Sequence, residues 1–274
     1  MNMRYSSTKI ITMTTALCFI MILLSASLLA DPYPAGLFNH PFNGSSKPVT
    51  KNGITTFKIL DRQCSNVDYG DGRGENDCKN GAVRSVLVRS AQARLGSKAQ
   101  YSFDIWINPG FSYPGFNNPM STGFLPDSWD SRLRIASWEG PFIHNFLYML
   151  KADARHGVSF LGNECQPSSK FGTWVSFSMN VFWTNGNDGW IDVKCDGRSI
   201  YKAEKISTNQ NPHCYVTNQC ESDVPKNPKK VLFILGPVMA GFGHEWNKFG
   251  LSSPFTDIQK DGIEVRVRNV TISG

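Results

Sequence analysis

The stretch "TWVSFSMNVFWTNGNDGWIDVKCDGRSIYKAE" (residues 173–204) constrains the fold more than any other. Apolar and polar residues alternate along three runs, which Asn185-Gly186 and Asp196-Gly197 separate. Alternation of period two buries one side of a strand and leaves the other wet. Asn-Gly and Asp-Gly tolerate the positive φ of tight hairpins. The segment therefore predicts a meander of three antiparallel strands. Trp183 and Trp190 flank its first turn, where they are expected to pair across strands.

The same pattern fills most of the chain. "TTFKIL" (55–60), "AVRSVLVR" (82–89), "AQYSFDIWI" (99–107) and "RLRIASW" (132–138) read as strands. So do "NFLYML" (145–150), "GVSFL" (157–161), "KVLFIL" (230–235) and "GIEVRVRNVTI" (262–272). No 3.6-residue pattern runs beyond two turns, and no internal repeat appears. Many short strands without intervening helices predict a sandwich or barrel, not a parallel sheet. Their number favours an all-β jelly roll, two antiparallel sheets packed face to face. Residues 31–54 carry Pro32, Pro34, Gly36, Pro41, Gly44, Pro48 and Gly53 and read as an irregular lead-in. Residues 55–274 read as a single domain. The stretch 209–228, rich in Asn, Pro and Cys, reads as a long loop.

Residues 1–30 begin with Arg4 and Lys9, continue with an apolar run and end in small residues before Asp31. That order fits a secretory signal peptide. The competing reading is an uncleaved anchor, since the run is about long enough to span a bilayer. Export, into the medium or a periplasm, also suits the cysteines. Cys64, Cys78, Cys165, Cys195, Cys214 and Cys220 follow the signal, an even number that points to disulfides. Short local loops would join Cys64 to Cys78 and Cys214 to Cys220, leaving Cys165 for Cys195. Six cysteines allow many other pairings. The net charge of +6 falls to +4 once Arg4 and Lys9 are removed. This mild excess fits an acidic polymer as partner, and the scattered basic residues argue against nucleic acid. A monomer is expected.

One segment invites a metal. "DYGDGRGEND" holds Asp68, Asp71, Glu75 and Asp77 among glycines. Oxygen-rich loops of this kind bind calcium, but the spacing is not that of an EF-hand. No cofactor is expected. The sequons at Asn43 and Asn269 matter only in a host that glycosylates exported proteins.

Four pieces in the right order carry a resemblance. "FGTWVSFSMNVFWTNGNDGWIDVKCDGRSIY" is similar to the stretch of heparin lyase I-like polysaccharide lyases in which a Gly-x-Trp strand leads through a turn into a Gly-Trp strand and an Asp-Gly hairpin. "FKILDRQC…NDCKNGAVRSVL" resembles that family's early strand, its linked cysteines and its Arg-Ser-Glu-Leu run. "AQYSFDIWIN" and "NKFGLSSPF…GIEVRVRNVTI" resemble its next strand and its ending. The resemblance implies a concanavalin-like jelly roll with a sugar groove along one sheet. It also implies β-elimination on a uronate glycan. Such an elimination needs the uronate carboxylate neutralised, a base at C5 and an acid at the leaving oxygen.

Several positions depart from that pattern. Arg84 matches the family's arginine, but Val86 replaces the glutamate beside it. Ser137 and Glu139 flank Trp138 where the family has Gln-Trp-His. Lys248 matches the ending, but Ser252 replaces its tyrosine, and a serine lacks the phenol's acidity. The implied substrate-binding set is Arg84, Lys248, Trp138, Ser137 and Ser252. For catalysis, Glu139 holds the histidine's place, and His144 with Tyr148 offers a substitute base and acid. His144 and Tyr148 are four apart and share a strand face. The plainer reading makes Tyr148 a core-edge residue and His144 a surface one. His156 and the "GFGHEW" stretch with His244 and Glu245 are further polar candidates. Three functions remain: a lyase with a rearranged site, a non-catalytic carbohydrate-binding protein, and a structural envelope protein.

Overall fold

In the computed structural model the alternating runs become strands with alternating burial. The structure describes residues 33–44, 46–60, 63–70, 74, 76–80, 82–89, 93–112, 133–140, 146–209, 229–239 and 262–274. The described strands are β1 (Leu37–Asn39), β2 (Val49–Lys51), β3 (Ile54–Ile59), β4 (Val83–Arg84), β5 (Leu87–Arg89) and β6 (Ala93–Arg94). Then come β7 (Ser97–Ile107), β8 (Leu133–Glu139), β9 (Phe146–Asp153), β10 (Gly157–Phe160) and β11 (Asn163–Gln166). The last are β12 (Val175–Trp183), β13 (Gly189–Cys195), β14 (Arg198–Ile206), β15 (Lys230–Met239) and β16 (Ile263–Ser273).

They form two sheets. The nine-stranded sheet runs β1-β5-β15-β8-β9-β10-β11, with β4 and β6 also paired to β15. The seven-stranded sheet runs β14-β13-β12-β7-β16-β3-β2. Every described pairing is antiparallel. The fold is an all-β jelly-roll sandwich, and its described residues belong to one unit, Tyr33–Gly274. No described helix is long and apolar enough to cross a membrane.

The inner faces of both sheets supply one core. Trp138 of β8 and Phe233 of β15 meet Tyr101 of β7 and Phe177 of β12 with ring centroids 4.9–5.9 Å apart. All four are at most 1% exposed. Each fully buried aromatic contributes roughly 1.5–3 kcal/mol relative to exposure. The Asp-Gly hairpin forms as expected, with Asp196 and Gly197 at φ 47° and 76°. The two tryptophans do not pair. Trp190 opposes Phe182, so Trp183 lies one step out of phase and enters the core fully buried.

The lead-in is less irregular than its prolines suggest. It supplies an edge strand to each sheet, β1 and β2. Prolines at 41 and 48 and glycines at 36, 44 and 53 hold both to three residues. Cys64 bonds to Cys78 and Cys165 to Cys195. The second bridge ties β11 of one sheet to β13 of the other, across a core edge where both cysteines are buried. Cys214 and Cys220 lie outside the described residues.

Candidate functional site

The nine-stranded sheet has an outer face, turned away from the main core but itself buried at Val86, Val88, Ser137, Lys151, Ile234 and Val238, and two bulges decide what stands on it. Strict alternation along β8 would put Arg134 on the side of Trp138, in the core. Instead Arg134 opposes Lys151 while Ala136 opposes Leu150, so Ile135 is an extra residue. The bulge turns Ile135 and Ala136 both inward. Arg134, Ser137 and Glu139 then share the outer face. On β15 the register shifts between Leu235 and Val238. Gly236 makes that shift feasible: its φ is 122°, and a Cβ there would lie 2.4 Å from the Ser85 carbonyl oxygen.

Val238 consequently opposes Arg84 on one side and Arg134 on the other. Arg134 opposes Lys151, and Lys151 opposes Ser159. One row across five strands therefore reads Arg84, Val238, Arg134, Lys151, Ser159. With neighbouring strands about 4.8 Å apart, the two arginine backbones stand roughly 10 Å from each other. A second row is mostly apolar: Val88, Ile234, Ser137 and Met149.

Both arginines are fixed by carboxylates. Arg84 donates from Nε to Asp77 Oδ2 at 2.5 Å and from Nη2 to Asp77 Oδ1. Asp77 is fully buried and also accepts from the Tyr69 hydroxyl. It sits in the helical turn Asp77–Asn80 that the Cys64–Cys78 bridge fastens. Burial opposes the charge of Arg84, but Asp77 outweighs it, so the guanidinium pKa is raised. Arg134 donates to Glu139 Oε1 at 3.1 Å, and Ser137 Oγ donates to the same oxygen at 2.5 Å. Burial, only partly countered by Glu139, lowers the pKa of Arg134.

A loop of the lead-in closes one side. Asn43 is buried and pairs reciprocally with the Val86 backbone, at 2.7 and 2.8 Å. His40 N–H donates to the Val86 carbonyl at 3.3 Å. The Phe42 ring lies 5.6 Å from the Arg84 guanidinium and 4.9 Å from the His40 ring. Buried and bonded in this way, Asn43 is unavailable to a glycan transferase in the folded protein.

The residues singled out by sequence are thus distributed as follows. Arg84, Ser137 and Glu139 share the outer face. Val86 leaves Arg84 no acidic neighbour on its own strand, and Asp77 takes that part. Glu139 is not a bare carboxylate facing a uronate; it is neutralised by Arg134. Trp138 is fully buried in the core and cannot stack on a sugar. Tyr148 opposes Trp138 in the ladder, so it too faces inward, stacked on Phe160 at 5.9 Å. Burial first, then Tyr201, push its hydroxyl above the ordinary phenol value. His156 lies in the turn after β9, with Nδ1 3.0 Å from the buried Asp153. His144, Lys248, Ser252, His244 and Glu245 lie outside the described residues. Asp68 accepts from the Gly70 N–H at 2.7 Å in a tight turn, and Asp77 is taken by Arg84. Asp71 and Glu75 lie outside the described residues, and among those described no cluster of three metal-binding side chains occurs. Sequence reasoning missed Arg134, Lys151 and His40, and it read Asp77 as a candidate calcium ligand, not as the partner of Arg84.

No protein-family model matches the chain. No curated protein matches it either. Solved structures similar to it include polysaccharide lyases. An endo-β-1,4-glucuronan lyase from the fungus Trichoderma reesei is 10% identical with a TM-score of 0.48, over 90% of this chain and 92% of that one. Alginate lyase A1-II′, a member of polysaccharide lyase family 7, is 11% identical with a TM-score of 0.42, over 82% of each chain. Alginate lyase Aly36B is 9% identical with a TM-score of 0.40, over 89% of this chain and 94% of that one.

Proposed function

We propose that this is an exported, polysaccharide lyase-like protein that holds a uronate-containing glycan across the outer face of its nine-stranded sheet. The observation that carries the reading is the row Arg84–Val238–Arg134, two carboxylate-braced guanidiniums on one face. Asp77 engages Nε and Nη2 of Arg84, and among the described residues nothing accepts a hydrogen bond from its Nη1. A guanidinium has five N–H donors, so Arg84 can hold a second carboxylate beside the first. Two disulfides support an oxidising destination.

In an elimination these groups would do one part of the work. A base removes the C5 proton, the electron pair forms the C4–C5 double bond, and the C4–O bond breaks as its oxygen takes a proton. Negative charge spreads onto the C6 carboxylate in the transition state. Fixed guanidiniums stabilise that charge without reorganising. The inward direction of Tyr148 favours a second reading, a non-catalytic glycan-binding protein of the same fold.

The two are separated by incubating the mature protein with alginate and with glucuronan. Ultraviolet absorbance follows the unsaturated uronate, and calorimetry follows binding. Product that disappears in Arg84→Ala, with circular dichroism showing the variant folded, supports the lyase. Binding without product, lost in Arg84→Ala, supports the second reading. Wild-type protein that neither binds nor cleaves either polymer defeats both.

A further inference from the structure

His40 reaches the arginine row through Phe42, whose ring lies 4.9 Å from its own and 5.6 Å from the Arg84 guanidinium, and its ring chemistry is fixed by its own loop. Its Nδ1 accepts a hydrogen bond from the Phe42 N–H at 3.2 Å. A ring nitrogen that accepts carries no proton, so the neutral ring must bear its hydrogen on Nε2. Among the described residues nothing accepts a hydrogen bond from Nε2, and the residue is half-buried. Around it, Asn43 and the His40 backbone are pinned to Val86, and Phe42 packs on His40, Arg84 and Tyr69. The donor is therefore held in place before any ligand arrives.

We propose that His40 is a third anion-binding group of this site, a neutral imidazole that donates its Nε2–H to a uronate carboxylate held by Arg84. The proposal rests on the reading that an acidic glycan occupies this face. The ring cannot serve as the base at C5, because its one lone pair is engaged by Phe42. Burial, then Arg84 and Arg134, lower its pKa to about 4, so the ring is neutral where an exported protein works. A neutral donor strengthens the hold on a carboxylate without placing a third full charge beside two arginines. It favours a carboxylate-bearing sugar over one whose C6 carries a hydroxyl, which is a weaker acceptor.

The test uses the full mature chain. His40→Asn keeps a side-chain oxygen that can accept from the Phe42 N–H, as Asn does at such turns, but lacks the far-side donor. In the glycan-free protein, long-range nitrogen NMR should show His40 as the Nε2–H tautomer at pH 7 and still at pH 5. On adding alginate or glucuronan tetrasaccharide, the Nε2 signal should move. His40→Asn should melt as the wild type does and bind the tetrasaccharide about tenfold or more weakly, the loss of one hydrogen bond to a charged group. An imidazolium at pH 6, an Nδ1–H tautomer, or wild-type affinity in His40→Asn would overturn the role of His40. If Arg84→Ala abolishes binding while His40→Asn does not, only this inference fails. If the wild type binds neither tetrasaccharide, the glycan reading fails and takes this one with it.

Discussion

Asp77 offers the sharpest test of how this face is built. Its side chain is fully buried, and that of Arg84 is only 15% exposed. The two share a bidentate contact, and Tyr69 donates to the same carboxylate. Removing one partner of such a pair strands the other's charge, at a cost of about 3–5 kcal/mol. Here the stranded guanidinium would also face Arg134, whose own pKa burial lowers with Arg84 contributing. Asp77→Asn keeps the shape and one acceptor oxygen, so the low end, about 3 kcal/mol, is expected. Arg84→Met should cost a similar amount, because it buries Asp77 with Tyr69 as its remaining donor among the contacts seen. The double variant Asp77→Asn/Arg84→Met removes the charge of both partners. It should be more stable than the sum of the singles predicts, by at least about 2 kcal/mol. Urea unfolding at neutral pH, followed by tryptophan fluorescence and circular dichroism with the disulfides intact, measures all four corners of the cycle. Singles that each cost under about 1 kcal/mol and add without coupling would refute the buried pair.

Two further outcomes are expected. The folded pKa of His40, about 4, lies below its ordinary 6.5. Above pH 6.5 both folded and unfolded states hold it neutral. As pH falls from there the unfolded chain takes the proton first, so stability is lost down to the folded pKa, by about 3 kcal/mol in all. Between pH 7 and 4.5 the wild type should therefore lose about 2 kcal/mol more than His40→Asn in urea titrations, and equal losses would contradict the neutral buried ring. Gly236→Ala forces a side chain onto φ 122° and into the Ser85 carbonyl and the Phe57 ring. It should cost about 2 kcal/mol or more and weaken glycan binding as well, since the β15 bulge sets Val238 between the arginines.

The fold was legible because its signals are local and redundant. The burial of β12, β13 and β7 follows their written alternation residue by residue. Asp196-Gly197 sets its hairpin by backbone chemistry alone. The cysteine pairings at 64–78 and 165–195 followed from short loops and a remainder. Trp183 and Trp190 misled because they lie seven positions apart, an odd number. Across the Phe182–Trp190 register, that spacing sends one of the two to each face.

The site was less legible, and the reason is geometric. A period-two reading along "RLRIASWEG" pairs Arg134 with Trp138 and hides it in the core. One extra residue at Ile135 reverses that parity, and nothing in the local composition marks the bulge. Asp77 was hidden differently. Set among glycines and acids, it reads as a metal ligand, yet its contacts are with Arg84, seven residues on, and with Tyr69. His40 lies in a proline-rich stretch where no periodicity exists to assign a face. Each of these residues is placed by a departure from regular structure: a bulge, a disulfide-fastened turn, a capped loop. The irregularities that defeat sequence reading are the devices that bring two arginines and an imidazole into one neighbourhood of the sheet. Substitutions that restore regularity there should accordingly harm binding more than substitutions in the regular strands around them.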